Sequence, residues 1–169
     1  MRKYLVLGGW TLAAVLAAGS CGDDAVVPTN VSVKEVETFT AVLSPANENP
    51  AVATTASGKA TLSVVGGVLV YRIDVADIIS PTLAHIHGPA LQGTNAGVKV
   101  NFCTNTPPAI PCSTGSPFTG VLTAGVATQV AGMSFDSLLV LLRNGNAYVN
   151  VHSTANPGGE MRGQVVPKP

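Results

Sequence analysis

The stretch ATLSVVGGVLVYRIDV, residues 60–75, decides the class of fold. Apolar residues recur at every second position on both sides of its two glycines, and a period of two is that of a β-strand with one buried face. Gly66 and Gly67 separate the two runs, and a two-residue glycine loop favours a β-hairpin because glycine accepts the positive φ of the turn. The stretch therefore predicts two antiparallel strands joined by a tight turn.

Short runs of the same kind follow along most of the chain, separated by Gly, Pro and Asn. Further strands are predicted at 39–43, 83–87, 98–102, 120–123, 148–152 and 160–166. Residues 134–145 differ, because Ser134 can cap the start of a helix and Gly145 can follow its end. We expect residues 36–169 to form an all-β Greek-key β-sandwich of about seven to nine strands with one short helix.

The composition excludes several other classes of protein. Only 11% of the 169 residues are charged, which is too few for a coiled coil, and 46% are hydrophobic, which is too many for a disordered chain. Lysine and arginine together number nine, as do aspartate and glutamate, so the chain lacks the excess of basic residues that favours nucleic acid binding. No nucleic acid partner is expected.

The first 20 residues predict a signal peptide. Two basic residues precede an uncharged apolar run, residues 4–18, that is shorter than the roughly 20 residues of a membrane-spanning helix. Residues 18–21, Ala-Gly-Ser-Cys, resemble a bacterial lipobox, whose cysteine is lipidated and becomes the first residue of the mature protein. We therefore expect residues 21–35 to be a lipidated Cys21 and its tether, and the protein to be exported and anchored in the cell envelope.

An alternative to lipidation is cleavage at the same bond by ordinary signal peptidase, and the number of cysteines helps to choose between the two. Ala18 stands where a lipobox usually has Leu, and small residues at 18 and 20 also suit that peptidase, which would release a soluble protein. Cys103 and Cys112 lie close together in a Pro-rich loop and can form a disulfide in an oxidising compartment. Lipidation of Cys21 would then leave no unpaired thiol, which favours the lipoprotein.

All three histidines of the chain fall in two short motifs. His85 and His87 are two positions apart, so on a strand they project from the same face. Tyr148, Asn150 and His152 share one face of a second strand for the same reason. Each motif therefore places polar side chains on one face of a sheet and apolar ones on the other.

The second motif continues into a predicted hairpin whose turn is residues 154–158. This turn sets three pairs opposite each other across the strands: His152 and Glu160, Asn150 and Arg162, and Tyr148 and Gln164. Cross-strand neighbours lie about 5 Å apart at Cβ, which is close enough for hydrogen bonds. We expect a polar network on this face, with His152 bonded to Glu160 and Asn150 to Arg162.

These motifs resemble the CHRD domain, named after chordin and found in many bacterial exported proteins. The resemblance covers about residues 37–166 and is carried by HIHGPA (85–90), YVNVHS (148–153) and NPGGEMRGQ (156–164), with FTAVLS (39–44), ENP (48–50) and the helix at 138–145. The loop between Cys103 and Cys112 departs from it as an insertion typical of some members. The resemblance implies a compact β-sandwich outside the cytoplasm and no known reaction, and chordin itself is an extracellular binding protein.

Two functions are compatible with these residues. The first is a binding or structural module without enzymatic turnover, held at the membrane by its lipid, with an extracellular protein as a further partner. The alternative is a Cu or Zn protein, redox-active if it holds copper, in which His85, His87 and His152 are the ligands. The same histidines could instead be hydrogen-bonding struts. No catalytic residue is assigned, because His152 and Ser153 are adjacent on a strand and point to opposite faces.

Overall fold

The computed structural model describes residues 36–104, 112, 118–122 and 132–169. The predicted signal peptide, residues 1–20, lies outside the described residues, and so do Cys21 and the tether up to residue 35. Within the described part of the chain, no helix is both long and apolar enough to cross a membrane.

Nine strands, one α-helix and one 3-10 helix are present in the described residues. The strands are β1 (Glu37–Leu43), β2 (Ser57–Val65), β3 (Val68–Ala76), β4 (Pro81–His87), β5 (Val98–Cys103), β6 (Phe118–Leu122), β7 (Tyr148–Ser153), β8 (Met161–Gln164) and β9 (Val166–Lys168). The α-helix is α1 (Phe135–Arg143), and the 3-10 helix is Pro45–Asn47.

The strands form two antiparallel sheets, one in the order β6-β3-β2-β1-β9 and the other in the order β5-β4-β7-β8. In the first sheet β9 returns to lie beside β1, which is followed by β2 and β3, and this order is that of a Greek key. The expected all-β sandwich with one short helix is confirmed.

The hairpin of β2 and β3 has the predicted turn. Val65 pairs with Val68, and Gly66 and Gly67 between them have φ angles of 58° and 84°. A turn with positive φ at both central residues matches the right-handed twist of the strands, and glycine adopts it without steric cost. The two glycines therefore fix the register that buries Leu62, Leu69 and their neighbours in the core.

The predicted strand 160–166 is wrong in one respect, because it is two strands. Val165 separates β8 from β9, and its N–H donates to the carbonyl oxygen of Ala147 at 2.9 Å. The Val165 side chain is fully buried in the core, whereas β8 pairs with β7 in one sheet and β9 pairs with β1 in the other. The chain thus crosses between the sheets at this residue, and a run of apolar and polar residues does not mark that crossing.

Helix α1 confirms the prediction for residues 134–145. Ser134 caps it by accepting a hydrogen bond from the Ser137 N–H at 3.1 Å, and Gly145 follows its end with a φ of 65°. The side chains that it buries in the core are Phe135, Leu138, Leu139 and Leu142.

The four-stranded sheet separates apolar from polar side chains. Its inner face contributes Ala84, Ile86, Val149, Val151 and Met161 to the core. The alternating residues point to the opposite face, and they are buried as well: His85, His87, Asn150, His152 and Arg162. Loops that follow β1, β4 and β7 bond to this polar face, which explains its burial. Cys103 is the last residue of β5, an edge strand of the same sheet, and its predicted disulfide with Cys112 is confirmed.

Candidate functional site

The three histidines converge although they come from two distant motifs. Strands β4 and β7 pair so that Leu83 lies opposite His152 and His85 lies opposite Asn150. His85 Nδ1 lies 3.2 Å from His152 Nε2, and one ring nitrogen from each of the three histidines lies within 4.8 Å of the others. The pairing of β4 with β7 therefore builds one cluster from the two motifs.

The three imidazoles are neutral at pH 7. Each histidine retains only 6% to 8% of its accessible surface. Burial, with the neighbouring His152 and His87, lowers the pKa of His85 to about 3. Burial likewise lowers the pKa of His87 and of His152. Neutral imidazole is the form that binds metal ions, because it keeps a lone pair on one ring nitrogen.

Two backbone carbonyl groups fix the tautomers of two of these rings. His152 Nδ1 lies 2.9 Å from the carbonyl oxygen of Pro157, and His87 Nδ1 lies 2.8 Å from that of Ala96. A carbonyl oxygen only accepts hydrogen bonds, so each neutral ring carries its proton on Nδ1 and its lone pair on Nε2. Histidine ligands of metals typically donate their second ring nitrogen to such a partner.

The predicted register of the β7–β8 hairpin is confirmed, with Tyr148 opposite Gln164 and Asn150 opposite Arg162. The side chains nevertheless have other neighbours than the expected ones. Asn150 Oδ1 lies 3.1 Å from His87 Nε2, and Arg162 donates elsewhere. Opposition across two strands brings side chains near each other but leaves the choice of partner to the surrounding loops.

Arg162 connects the sheet to two loops. Its Nε donates to the carbonyl oxygen of Asn47 at 2.6 Å, and its Nη1 donates to Oδ1 of Asn95 at 2.8 Å. The guanidinium group also lies over the Tyr148 ring, 4.8 Å from the centroid. The planar fork of arginine allows these contacts at the same time.

Glu160 is not the partner of His152, because Pro157 and His85 occupy both ring nitrogens of His152. The expected His152–Glu160 bond is therefore wrong, although Glu160 is buried, with 5% of its surface exposed. The turn 154–158 instead places the carbonyl oxygen of Pro157 within hydrogen-bond distance of His152 Nδ1.

Glu48 is the acidic group beside Arg162, and the sequence reasoning missed this role. Its Oε2 lies 3.6 Å from Arg162 Nε, and burial raises its pKa, although Arg162 and the Asn150 amide oppose that shift. Glu48 Oε1 and Arg162 Nη2 are buried and have no hydrogen-bond partner among the described residues. The acidic residue of the ENP motif at 48–50 was the available signal, since a buried arginine requires a carboxylate nearby.

The remaining predicted residues support loops around the cluster. Gln164 Nε2 donates to the carbonyl oxygens of Ala90 at 2.8 Å and Gly145 at 2.7 Å. The Tyr148 ring stacks on His87, with centroids 4.8 Å apart, and its hydroxyl accepts from the Ala96 N–H at 3.3 Å. These two residues therefore position the loop that holds His87.

Comparisons with known proteins identify one family. The family model described as the CHRD domain matches residues 39–165, which is most of the chain. No curated protein and no solved structure matches the chain. The matched range begins in β1 and includes every residue of the site described above.

Proposed function

Because the chain belongs to the CHRD domain family, we propose that it is a non-enzymatic binding module outside the cytoplasm, and that it binds one ion of copper or zinc. The observation that supports this function is the convergence of His85, His87 and His152 as neutral imidazoles. Imidazole nitrogen is a preferred ligand of both metals, and a β-sheet can hold three such ligands rigidly.

The distances in the cluster suit a metal after a small adjustment. Two imidazole nitrogens on a tetrahedral zinc ion, each bonded at about 2.0–2.1 Å, are about 3.3 Å apart. His85 Nδ1 and His152 Nε2 already have nearly this separation, at 3.2 Å. The widest nitrogen pair lies within 4.8 Å, so ring rotations that shorten this separation by at most about 1.5 Å complete the set.

The rival function is that of a structural module in which the histidines only support loops. The bonds to Ala96 and Pro157 serve that role too. It also accounts for His152 Nε2, which accepts a hydrogen bond from His85 Nδ1, but it leaves unexplained the Nε2 lone pair of His87, which faces the Asn150 amide oxygen at 3.1 Å. Metal uptake separates the two functions.

The experiment measures the metal content and melting temperature of the purified mature protein in detergent, after dialysis against Cu²⁺ or Zn²⁺. We expect about one bound equivalent and a higher Tm, and loss of both in His152→Asn. Tyr71→Phe is the control, because it removes a buried hydroxyl of the other sheet, which donates to the carbonyl oxygen of Phe102 away from the histidine nitrogens, and it should keep the metal. Less than about a tenth of an equivalent in the wild type, without a shift in Tm, would overturn the function.

We also propose that Cys21 is lipidated and anchors the module in the cell envelope. This proposal is supported by the apolar segment at 4–18 and the lipobox-like residues 18–21. A fatty-acid label should enter the wild type, remain absent from Cys21→Ala, and enter Gly22→Ala as a control. Equal labelling of the wild type and Cys21→Ala would refute the anchor.

A further inference from the structure

Asn150 lies beside the histidine cluster. It is 3% exposed, and it sits in β7 directly opposite His85 of β4. Its Oδ1 is 3.1 Å from Nε2 of His87. An uncharged amide so placed either joins the hydrogen-bond network or contributes its oxygen to whatever the histidines hold.

The contact between Asn150 and His87 is unusual as a hydrogen bond. The proton of the neutral His87 ring is on Nδ1, which donates to Ala96 at 2.8 Å, so Nε2 carries a lone pair. The amide oxygen also presents lone pairs, and two acceptors facing each other at this distance repel. A cation bonded to both atoms removes the repulsion, and two ligands of one ion are separated by about 3 Å.

Reversal of the Asn150 amide would place its NH₂ group against His87 and remove the conflict there. The reversed oxygen would then face the Glu48 carboxyl group, because the Asn150 side chain is a hydrogen-bonding neighbour that opposes the rise that burial causes in the Glu48 pKa. Amide orientation is assigned from such contacts, and a carboxyl oxygen favours the NH₂ group beside it. Glu48 therefore holds the amide oxygen toward the histidines, and Arg162, 3.6 Å from the other carboxyl oxygen, fixes Glu48 in turn.

We infer that the amide oxygen of Asn150 is the fourth ligand of the metal ion, and that Glu48 is the residue that positions it. This inference rests on the proposed metal binding and deepens it, because it defines a set of three nitrogens and one oxygen. Oxygen is a hard donor and Cu⁺ prefers soft ligands, so the set favours Zn²⁺ or Cu²⁺.

The test compares Zn²⁺ affinity and the Cu²⁺ electron paramagnetic resonance spectrum of the mature protein and two amide variants. Asn150→Leu removes the oxygen donor at nearly constant volume and should weaken Zn²⁺ binding about 10- to 100-fold and change the Cu²⁺ spectrum. Asn144→Leu, the same substitution at an exposed position after α1, should alter neither. Asn150→Asp keeps an oxygen donor and should bind at least as tightly as the wild type, which guards against misfolding of the leucine variant.

A double-mutant cycle tests the positioning role of Glu48. Glu48→Gln frees the amide to reverse and should weaken binding in the wild-type background, with no further loss in Asn150→Leu. If Glu48→Gln weakened Zn²⁺ binding by the same factor in the wild type and in Asn150→Leu, the positioning role would be overturned. Wild-type affinity in Asn150→Leu would overturn the fourth ligand while the histidine site stands, whereas no uptake by the wild type would overturn the proposed function and this inference together.

Discussion

Nδ1 of His85 lies 3.2 Å from Nε2 of His152, although the two residues are 67 positions apart in the chain. Strand β7 pairs with β4, and this pairing brings the two polar motifs onto one face of the sheet. The loops that cover that face bury the histidines, and their carbonyl groups orient two of the rings. The site is therefore a product of tertiary structure rather than of either motif alone.

Acidification should destabilise the metal-free protein through His85. Its folded pKa is about 3, against an ordinary value of 6.5, so between these values the unfolded chain binds a proton that the folded protein does not. Stability is therefore lost as the pH falls below 6.5, by about 1.4 kcal/mol per pH unit for this residue. Urea unfolding from pH 7 to pH 4 should give a shallower dependence in His85→Gln, and identical slopes would contradict the assigned shift.

Arg162→Lys should cost about 1–3 kcal/mol of unfolding free energy, because lysine cannot contact Asn47 and Asn95 together. Arg143→Lys is the control, since Arg143 pairs with Glu37 at the surface and the exposed pair contributes little. Denaturant titration of both variants gives the comparison. Equal losses in the two would show that the buried position of Arg162 is unimportant.

Gly159→Ala should destabilise the protein by about 1–3 kcal/mol, because residue 159 has a φ of 131° and a Cβ there would press on Asn150 and Glu48. Gly158→Ala provides a control at the next position, where a Cβ meets nothing within 4 Å. Thermal unfolding should separate the two variants. If Gly159→Ala were as stable as Gly158→Ala, the side chains of Asn150 and Glu48 would not pack against residue 159 as described.

Local sequence patterns predicted most of the fold. The glycine pair at 66–67, the capping Ser134 and the register of the β7–β8 hairpin are each set by residues close together in the chain, so their physics is readable from the sequence. The break at Val165 was not predicted, because transfer of the chain from one sheet to the other depends on how the sheets pack.

The sequence predicted which residues form the candidate site better than it predicted their hydrogen-bond partners. The histidines, Asn150 and Arg162 all lie on one polar face, as the period of two requires. Glu48 was missed because it comes from a loop remote in sequence, and Glu160 was paired wrongly because the Pro157 carbonyl group of the hairpin's own loop bonds to His152 instead. Alternation predicts the face of a strand, but loop packing decides which partner a buried side chain meets.

The proposed metal site requires neutral histidines with fixed tautomers around one ion. Nitrogen-15 spectra of the histidine rings at pH 7, recorded during a Zn²⁺ titration of the mature protein, test it most directly. In the metal-free state, His87 and His152 should carry their protons on Nδ1, and one ring nitrogen of each of the three histidines should then shift until about one equivalent is bound. Protons on Nε2 of His87 and His152, or rings that stay unchanged as Zn²⁺ is added, would contradict the account.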